Sequence, residues 1–308
     1  MQILSTFFIA SILTSCMADK YAPEPEGHAN PDTGSEALDT QDTGTEIPDE
    51  DIVICSGDYE PKTTESLTDI SECTHIEGSL RISETTFVGL DSLVNLREVG
   101  VDLIIDRNPN LTDLGGLAKL ERVGHDVDIR ENDAIIELNA LNGLKHIGRH
   151  VDISNNRAMT RLAGFDTLDD LTGDLQIWNN YALQAVHGFG AITTLNYDLD
   201  LRWSPELIDI SGLIGAKTVG GILYLESNAK LSDLSGMGGI EQIGAGLIIQ
   251  FLDTLTDLSG FSSLQTIDGE ANISDNANLC QSIVDDWAET ITIGLAETTT
   301  LCCNDTSC

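Results

Sequence analysis

The chain has 308 residues, of which 51 are acidic and 15 are basic, and its formal net charge is −36 at pH 7. This acidity argues against unaided binding to nucleic acid or to an anionic membrane surface, because both contacts depend on lysine and arginine. Hydrophobic residues make up 41% of the chain and aromatic residues only 5%, so the sequence predicts a sizeable, mainly aliphatic core. No apolar run reaches the ~18 residues that a membrane-spanning helix needs.

The first residues are typical of an export signal. The short apolar run over residues 3–15 suits a signal-peptide core, and its last three residues, Leu-Thr-Ser, stand directly before Cys16. This pattern resembles the lipobox of bacterial lipoproteins, although no lysine or arginine precedes the run. The resemblance implies removal of residues 1–15, acylation of Cys16 and anchoring to a bilayer of the cell envelope, with the outer membrane as the expected location. The alternative is an ordinary secretory signal with a chance cysteine.

Residues 16–54 form an acidic spacer in this interpretation. They are rich in Pro, Asp, Glu, Thr and Gly, and Lys20 is their only basic residue, so they cannot bury enough apolar surface to fold. Asp-Thr-Gly occurs at 32–34 and at 42–44, as in aspartic proteases. Those enzymes need two such carboxylates on buried loops that face each other, and this polar tract offers none. We interpret the two copies as linker repetition.

The body of the chain repeats every 24 residues from Gly100 onward. Each repeat contains two apolar residues separated by one position, a pattern that predicts a strand with alternate side chains pointing inward. These pairs are Leu103/Ile105, Val127/Ile129, Val151/Ile153, Leu175/Ile177, Leu199/Leu201, Leu223/Leu225, Leu247/Ile249 and Ala271/Ile273. Three residues after most pairs comes an asparagine, which we expect to stack into a buried ladder: Asn108, Asn132, Asn156, Asn180, Asn228 and Asn276, with Ser204 and Leu252 as exceptions.

One such repeat cannot bury its own apolar face, so neighbouring repeats must stack on it. The predicted fold class is therefore mainly β, a right-handed β-helix or leucine-rich-repeat-like solenoid with 24-residue coils over residues 55–287.

Two end motifs carry a family resemblance. Cys-Thr-x-Ile-Glu-Gly-x-Leu-x-Ile at 73–82 opens the repeats, and Asn-x-Asn-Leu-Cys at 276–280 closes them, with Trp287 following. Together they resemble the receptor L domain, the leucine-rich β-helix of insulin and epidermal growth factor receptor ectodomains. The resemblance implies a scaffold that binds proteins or glycans. It does not imply growth-factor signalling, because the furin-like module, the spanning helix and the kinase are missing from this sequence and there is one L domain rather than two.

Six cysteines besides Cys16 lie at the two ends of the repeats, where a solenoid needs capping: Cys55, Cys73, Cys280, Cys302, Cys303 and Cys308. An exported chain meets an oxidising compartment, which permits disulfides. The family resemblance implies a Cys55–Cys73 pair. Cys280 is expected to pair with Cys302, Cys303 or Cys308, so that residues 288–308 form a C-terminal cap. A zinc site is the disfavoured alternative, because Cys302 and Cys303 are adjacent and no histidine lies near them. No metal or other cofactor is predicted.

The outward strand positions divide into an acidic zone and an aromatic zone. The acidic zone contains His150 and seven carboxylates: Asp102, Asp126, Asp128, Asp152, Asp174, Asp198 and Asp200. We interpret it as a solvated face, with shared Ca²⁺ or a cationic partner as the alternatives. The aromatic zone supplies the candidate ligand-binding residues, because Trp, Tyr and Arg are favoured at recognition surfaces. They are Trp178, Arg202, Trp203, Tyr224 and Phe251, with corner-filling side chains as the alternative interpretation.

Catalytic motifs such as Gly-x-Ser-x-Gly, His-Glu-x-x-His and a phosphate-binding loop are missing from the sequence, which therefore predicts no enzyme. We expect a lipid-anchored binding module for an unidentified protein or glycan. A β-helix enzyme acting on polysaccharides, for which the aspartate row is the best argument, and a purely structural envelope protein are the alternatives.

Overall fold

The computed structural model of the protein describes residues 52–295, 299–302 and 304–305. Cys16, the spacer up to residue 51, Cys303 and Cys308 lie outside these residues, so the expectations for them stay predictions. Within the described residues, no helix is both long and apolar enough to span a membrane.

One long parallel sheet collects a strand from every coil. It has ten strands, and from the second to the ninth, neighbouring coils pair with the 24-residue offset predicted from the repeat, as in Leu103 opposite Val127. The offset is 23 residues at the first pair, Leu80 opposite Leu103, and 28 at the last, Asn272 opposite Thr300. The strands are Leu80–Ser83, Leu103–Asp106, Val127–Arg130, Val151–Ser154, Leu175–Trp178, Leu199–Arg202, Ile222–Glu226, Gly246–Gln250, Glu270–Ser274 and Thr300–Cys302. This arrangement confirms a mainly β, solenoid-like fold with 24-residue coils.

Shorter parallel strands line another side of the coils. Six of them form one sheet: Ile54–Cys55, His75–Ile76, Glu98–Val99, Arg122–Val123, His146–Ile147 and Asp170–Leu171. Five form a second: Thr194–Leu195, Thr218–Val219, Gln242–Ile243, Thr266–Ile267 and Thr292–Ile293. Arg161–Leu162 pairs with Ala185–Val186 in a two-stranded sheet between them in sequence. Near this point the stacked rings of Phe165 and Phe189, with centroids 4.9 Å apart, occupy core positions that leucine fills in the preceding coils.

Six single-turn 3₁₀ helices and two α-helices complete the described elements. The 3₁₀ turns are Asp91–Leu93, Gly115–Leu117, Asn139–Leu141, Ser211–Leu213, Ser235–Met237 and Ser259–Phe261. The α-helices are Thr64–Thr68 before the first coil and Gln281–Ala288 after the last long coil.

The core is aliphatic, as the composition predicts. Leu103, Ile105, Val127 and Ile129 are all fully buried, and the equivalent pairs in later coils are buried in the same way. Full burial of each such side chain contributes about 1.5–3 kcal/mol before the entropy cost of ordering the chain is subtracted. The coils are therefore stable only as a stack, since each one supplies the apolar cover of its neighbours.

The predicted asparagine ladder is present and fully buried. In each rung the side-chain carbonyl accepts the backbone N–H of the preceding rung, and the side-chain amide donates to a strand carbonyl of the preceding coil. Asn156 shows the pattern: its Oδ1 accepts from Asn132 N at 3.1 Å, and its Nδ2 donates to Ile129 O at 2.8 Å. Ser204 continues the ladder, because its backbone N–H donates to Asn228 Oδ1 at 2.9 Å.

The two ends are closed differently. At the first coil, Cys55 and Cys73 form the predicted disulfide, with 5.8 Å between their Cα atoms. At the last coil, strands 292–293 and 300–302 extend two of the sheets beyond Trp287. Asn304 adds a rung to the ladder, because its Oδ1 accepts from Asn276 N at 3.2 Å.

Candidate ligand-binding face

The outward-pointing side chains of the long sheet form the surface on which the candidate residues lie, hereafter the outer face. Strand Leu175–Trp178 shows how it is built: Leu175 and Ile177 are buried in the core, whereas Gln176 and Trp178 are half-buried on the other side. On the next two strands, Arg202 and Tyr224 are likewise half-buried on this side, whereas the leucines beside them in sequence are buried in the core. The pleat therefore places Trp178, Arg202 and Tyr224 on the outer face, as the sequence predicts.

Four of the candidate residues contact one another in a single cluster, which we call the aromatic–arginine cluster: Trp178, Arg202, Trp203 and Tyr224. The rings of Trp178 and Trp203 meet edge to face, with centroids 5.9 Å apart. The guanidinium carbon of Arg202 lies 4.9 Å from the centroid of Trp203 and 4.6 Å from that of Tyr224. These distances are those of aromatic pairing and cation–π contact, so the cluster presents a connected, half-buried surface of rings.

Asp200 fixes the arginine of this cluster. Arg202 Nη2 donates to Asp200 Oδ2 at 2.7 Å, and Nε lies 2.9 and 3.0 Å from the two carboxylate oxygens. The Asp200 residue is only 4% exposed. A charge buried to this extent is stable only when it is paired, so Asp200 and Arg202 act as one unit beneath the rings.

Trp203 and Phe251 share a backbone conformation that is unfavourable for bulky residues. Their φ angles are +56° and +55°, in the left-handed region, which costs about 1–3 kcal/mol for a residue other than glycine. Every described coil places one residue in this conformation at the corner before the asparagine ladder: Glu84, Arg107, Glu131, Asn155, Asn179, Trp203, Ser227, Phe251 and Asp275.

Asparagine adopts this conformation most readily, and Asn155 and Asn179 follow that preference. Trp203, in the aromatic–arginine cluster, has the same conformation but is not an asparagine. Phe251 is a second bulky residue with this conformation, two coils after Trp203, and Ser227 occupies the same corner position in the coil between them. Phe251 therefore belongs to the same corner column as Trp203, but the intervening coil separates the two residues along it.

The acidic zone consists of two columns with different roles. In the first column, carboxylates accept the backbone N–H at the same position of the next coil. Asp126 Oδ1 accepts from His150 N at 3.0 Å, and Asp174 Oδ1 accepts from Asp198 N at 2.8 Å. Asp102 and Asp198 repeat the contact. These four aspartates hold coils together at the start of the strands, so the interpretation as a merely solvated face is wrong for them.

His150 lies within this first column, between Asp126 and Asp174. Its Nδ1 lies 3.0 Å from Asp174 Oδ2, and this bond raises the pKa of the imidazole. Burial raises the pKa of Asp174, but the bonds from His150 and from the Asp198 N–H outweigh it, and the net pKa lies below the ordinary value.

The second column, Asp128, Asp152 and Asp200, stands on the outer face itself. Arg130 Nη2 lies 3.0 Å from Asp128 Oδ2, whereas its Nη1 is 3.7 Å from Asp152 Oδ2. The Asp152 side chain is 14% exposed, and burial raises its pKa to about 6. Asp200 is thus buried and Asp152 is largely covered rather than solvated, because the neighbouring strands and side chains cover them.

Two oxygens beside the aromatic–arginine cluster have no hydrogen-bond partner among the described residues: Asp152 Oδ1 and Ser154 Oγ. Ser154 is fully buried, and the strand pairing places it directly opposite Trp178. No sequence signal marks these atoms, because their burial depends on the side chains of the neighbouring strands.

The described cysteines and carboxylates are of the residue types that a metal centre needs. Within the described ranges, no group of three or more His, Cys, Asp and Glu side chains is placed to hold a metal ion. Cys55 and Cys73 are joined to each other, and Cys280 is also disulfide-bonded. Cys302 is exposed on the strand that ends the long sheet.

Comparison with known proteins finds a family similarity over one part of the chain. No curated protein matches the chain. The family model described as Receptor L domain matches residues 72–147, from the segment containing Cys73 through the strand His146–Ile147. The matched stretch contains the opening motif at 73–82, whereas the closing motif and the aromatic–arginine cluster lie beyond it. Over residues 72–147, therefore, this chain is similar in sequence to the receptor L domain.

Proposed function

We propose that this chain is a lipid-anchored lipoprotein of the cell envelope whose solenoid binds a protein or glycan ligand on its outer face. The aromatic–arginine cluster is the centre of the contact, and Phe251 lies along the same face. In this proposal the chain is a recognition module and not an enzyme. Acylated Cys16 holds it on a bilayer, expected to be the outer membrane, and the acidic spacer separates the solenoid from that surface.

The observation that carries the binding role is the aromatic–arginine cluster itself, in which three aromatic rings and one guanidinium meet on the outer face. The φ of +56° at Trp203 belongs to the repeat, because the equivalent corners of the other coils have the same conformation. The ring of Trp203 meets Trp178 and Arg202 on a surface where part of each side chain is still open to solvent. An open cluster of Trp, Tyr and Arg is typical of a recognition site.

The receptor L domain match supports a binding scaffold, and the lipobox motif supports the anchor. The sheet between the two ends is regular, with one four- or five-residue strand from each coil between residues 80 and 274. We therefore propose that the first acidic column holds the coils together and that the second lies around the aromatic–arginine cluster. Neither column hydrolyses a polysaccharide in this proposal.

A pull-down from envelope extracts and a glycan array, both with the full-length protein, test this proposal. Trp178→Ala should abolish or strongly weaken whichever ligand the wild type captures, because truncation of an anchor residue costs about 2 kcal/mol or more. Tyr197→Ala is the matched control, since Tyr197 is an exposed tyrosine, 57% accessible, just before one of the same strands. Equal capture by wild type and Trp178→Ala would remove the cluster from the binding site.

A further inference from the structure

We propose that Asp152 and Ser154, beside Trp178, form a receptor pocket for a cationic side chain, lysine or arginine, of a protein partner. This inference rests on the proposed function, because it names the chemistry of the ligand that the outer face binds. It also selects a protein over a neutral glycan as the partner.

The first argument is the balance of charge in the second acidic column. Three carboxylates, Asp128, Asp152 and Asp200, face two guanidinium groups on the same strands. Arg202 bonds both oxygens of Asp200, and Arg130 lies at bonding distance from Asp128. The 3.7 Å between Arg130 and Asp152 is longer than a hydrogen bond. Asp152 therefore shares the guanidinium of Arg130 with Asp128 and has the longer of the two contacts, although its side chain is only 14% exposed.

The second argument is the pair of unpartnered oxygens. Asp152 and Ser154 are two positions apart on one strand, so both side chains point to the outer face, while Ile153 between them is buried in the core. Ser154 is fully buried, and neither its Oγ nor Asp152 Oδ1 makes a hydrogen bond of normal geometry among the described residues, although the nearby Ser154 side chain partly offsets the rise in the pKa of Asp152. A buried acceptor without a donor is destabilising, and a ligand that brings N–H donors would recover the lost free energy.

The third argument concerns the residues opposite Ser154 on the two adjacent strands. Ser154 stands opposite Trp178 in one adjacent strand and opposite Arg130 in the other. Trp178 offers a ring face to a cation. Arg130 is 39% exposed and can keep its bond to Asp128 while it moves away from Asp152, which opens the pocket from the solvent side. Carboxylate, hydroxyl and indole together suit an ammonium or guanidinium group.

Charge selects between the two classes of ligand. Sugar hydroxyls could donate to the two oxygens but would leave Asp152 to share the charge of Arg130 with Asp128. A lysine or arginine supplies both the donors and the charge. The net charge of −36 additionally attracts a basic partner over a distance.

The test is a calorimetric titration of the full-length protein with a capped tetralysine peptide and, separately, with a neutral tetrasaccharide of N-acetylglucosamine. Asp152→Asn keeps the shape of the side chain and removes its charge, so it should weaken tetralysine binding at least about tenfold. Asp253→Asn is the matched control: it removes the same charge from an exposed site in a loop, and it should change the affinity less than about twofold.

Equal weakening by Asp152→Asn and Asp253→Asn would show that only the overall charge attracts the peptide, and it would overturn the pocket. Binding of the tetrasaccharide but not of tetralysine, with dependence on Trp178, would also overturn it while leaving the proposed function intact. Loss of tetralysine binding in both Asp152→Asn and Trp178→Ala, with no effect of Trp178→Ala on the ligand captured from envelope extracts, would support the pocket and overturn the cluster as the centre of the contact.

A measurement on the wild type covers the case in which Asp152→Asn does not fold. Carboxyl carbon signals from NMR follow the protonation of Asp152 directly. Tetralysine should lower the pKa of Asp152 from its raised value of about 6, because a bound cation favours the charged form. An unchanged Asp152 titration in the presence of saturating peptide would overturn the proposal.

Discussion

Arg202 and Asp200 lie two positions apart on one strand, and Arg202 Nη2 donates to Asp200 Oδ2 at 2.7 Å directly beneath the rings of Trp203 and Tyr224. The pair joins the acidic and aromatic parts of the outer face. Because the carboxylate orients the guanidinium, the aromatic surface depends on a residue that itself is almost fully covered.

Removal of this carboxylate charge should therefore affect stability as well as the shape of the cluster. We expect Asp200→Asn to lower the free energy of unfolding by about 2 kcal/mol, because it removes a charged hydrogen-bond partner from the largely buried Arg202. Urea denaturation measures the effect. Glu121→Gln is the control, since Glu121 and Lys145 form an ion pair on the exposed surface, and its cost should stay below about 1 kcal/mol. Equal costs for the two variants would contradict the structural role of Asp200.

The variant Trp203→Asn distinguishes the contribution of Trp203 to stability from its contribution to ligand binding. The substitution installs the residue that Asn155 and Asn179 show at the same corner, so the relief of backbone strain should offset much of the lost ring contact. We expect the melting temperature to stay within a few degrees of the wild type while ligand capture falls. Thermal melts followed by circular dichroism, together with the pull-down, check both parts. A large destabilisation would mean that Trp203 is a packing residue of the corner.

The asparagine ladder should be the most sensitive polar feature of the fold. Asn156→Ala removes the acceptor of Asn132 N and the donor to Ile129 O, both in the buried interior. We expect a loss of about 2–4 kcal/mol, since two buried backbone groups lose their partners. Asn142→Ala, at an exposed position after a 3₁₀ turn, is the control and should cost less than about 0.5 kcal/mol. Chemical denaturation of both variants gives the comparison.

Asp152 should make stability depend on pH. Its folded-state pKa of about 6 lies above the ordinary value of 3.8, so between these values the folded state holds a proton that the unfolded state has released. The contribution of this group to the free energy of unfolding is therefore largest near pH 4 and is lost as the pH rises through about 6.

Asp152→Asn removes this penalty, and we expect the variant to be more stable than the wild type at pH 8 by about 1–3 kcal/mol, with a smaller difference at pH 4.5. Denaturation at the two pH values measures the change. A stability difference of the same size at both pH values would contradict a raised pKa for Asp152.

The anchor prediction concerns residues outside the described structure. If Cys16 carries the lipid, Cys16→Ser should move the protein from the membrane fraction to the soluble fraction, because the acyl chains supply the membrane affinity. Fractionation and metabolic labelling with a fatty acid measure this. A Cys16→Ser protein that is still processed and still sediments with membranes would contradict the lipoprotein assignment.

Much of the fold was predictable because it follows from position in a repeat. The spacing of Leu103 and Ile105, copied every 24 residues, predicts both the inward side of each strand and the register with the next coil. The Asn108 and Asn132 rungs follow from the same period. Asn304 was not predictable in this way, since it follows Asn276 after 28 residues and so falls outside the period.

The sequence by itself determined the coil length, the aliphatic core, the ladder and the side of the sheet on which Trp178, Arg202 and Tyr224 stand. These properties depend on the spacing of residues along one chain. Only the tertiary structure decided how side chains from different coils divide the space between them. In the tertiary structure the aspartates of the first column bond the next coil, whereas those of the second column stand on the outer face. There Arg202 bonds Asp200, and Asp152 Oδ1 is buried without a hydrogen bond of normal geometry. Hydrogen bonding and burial of this kind depend on neighbours 24 residues away and on their rotamers, which no repeat pattern specifies.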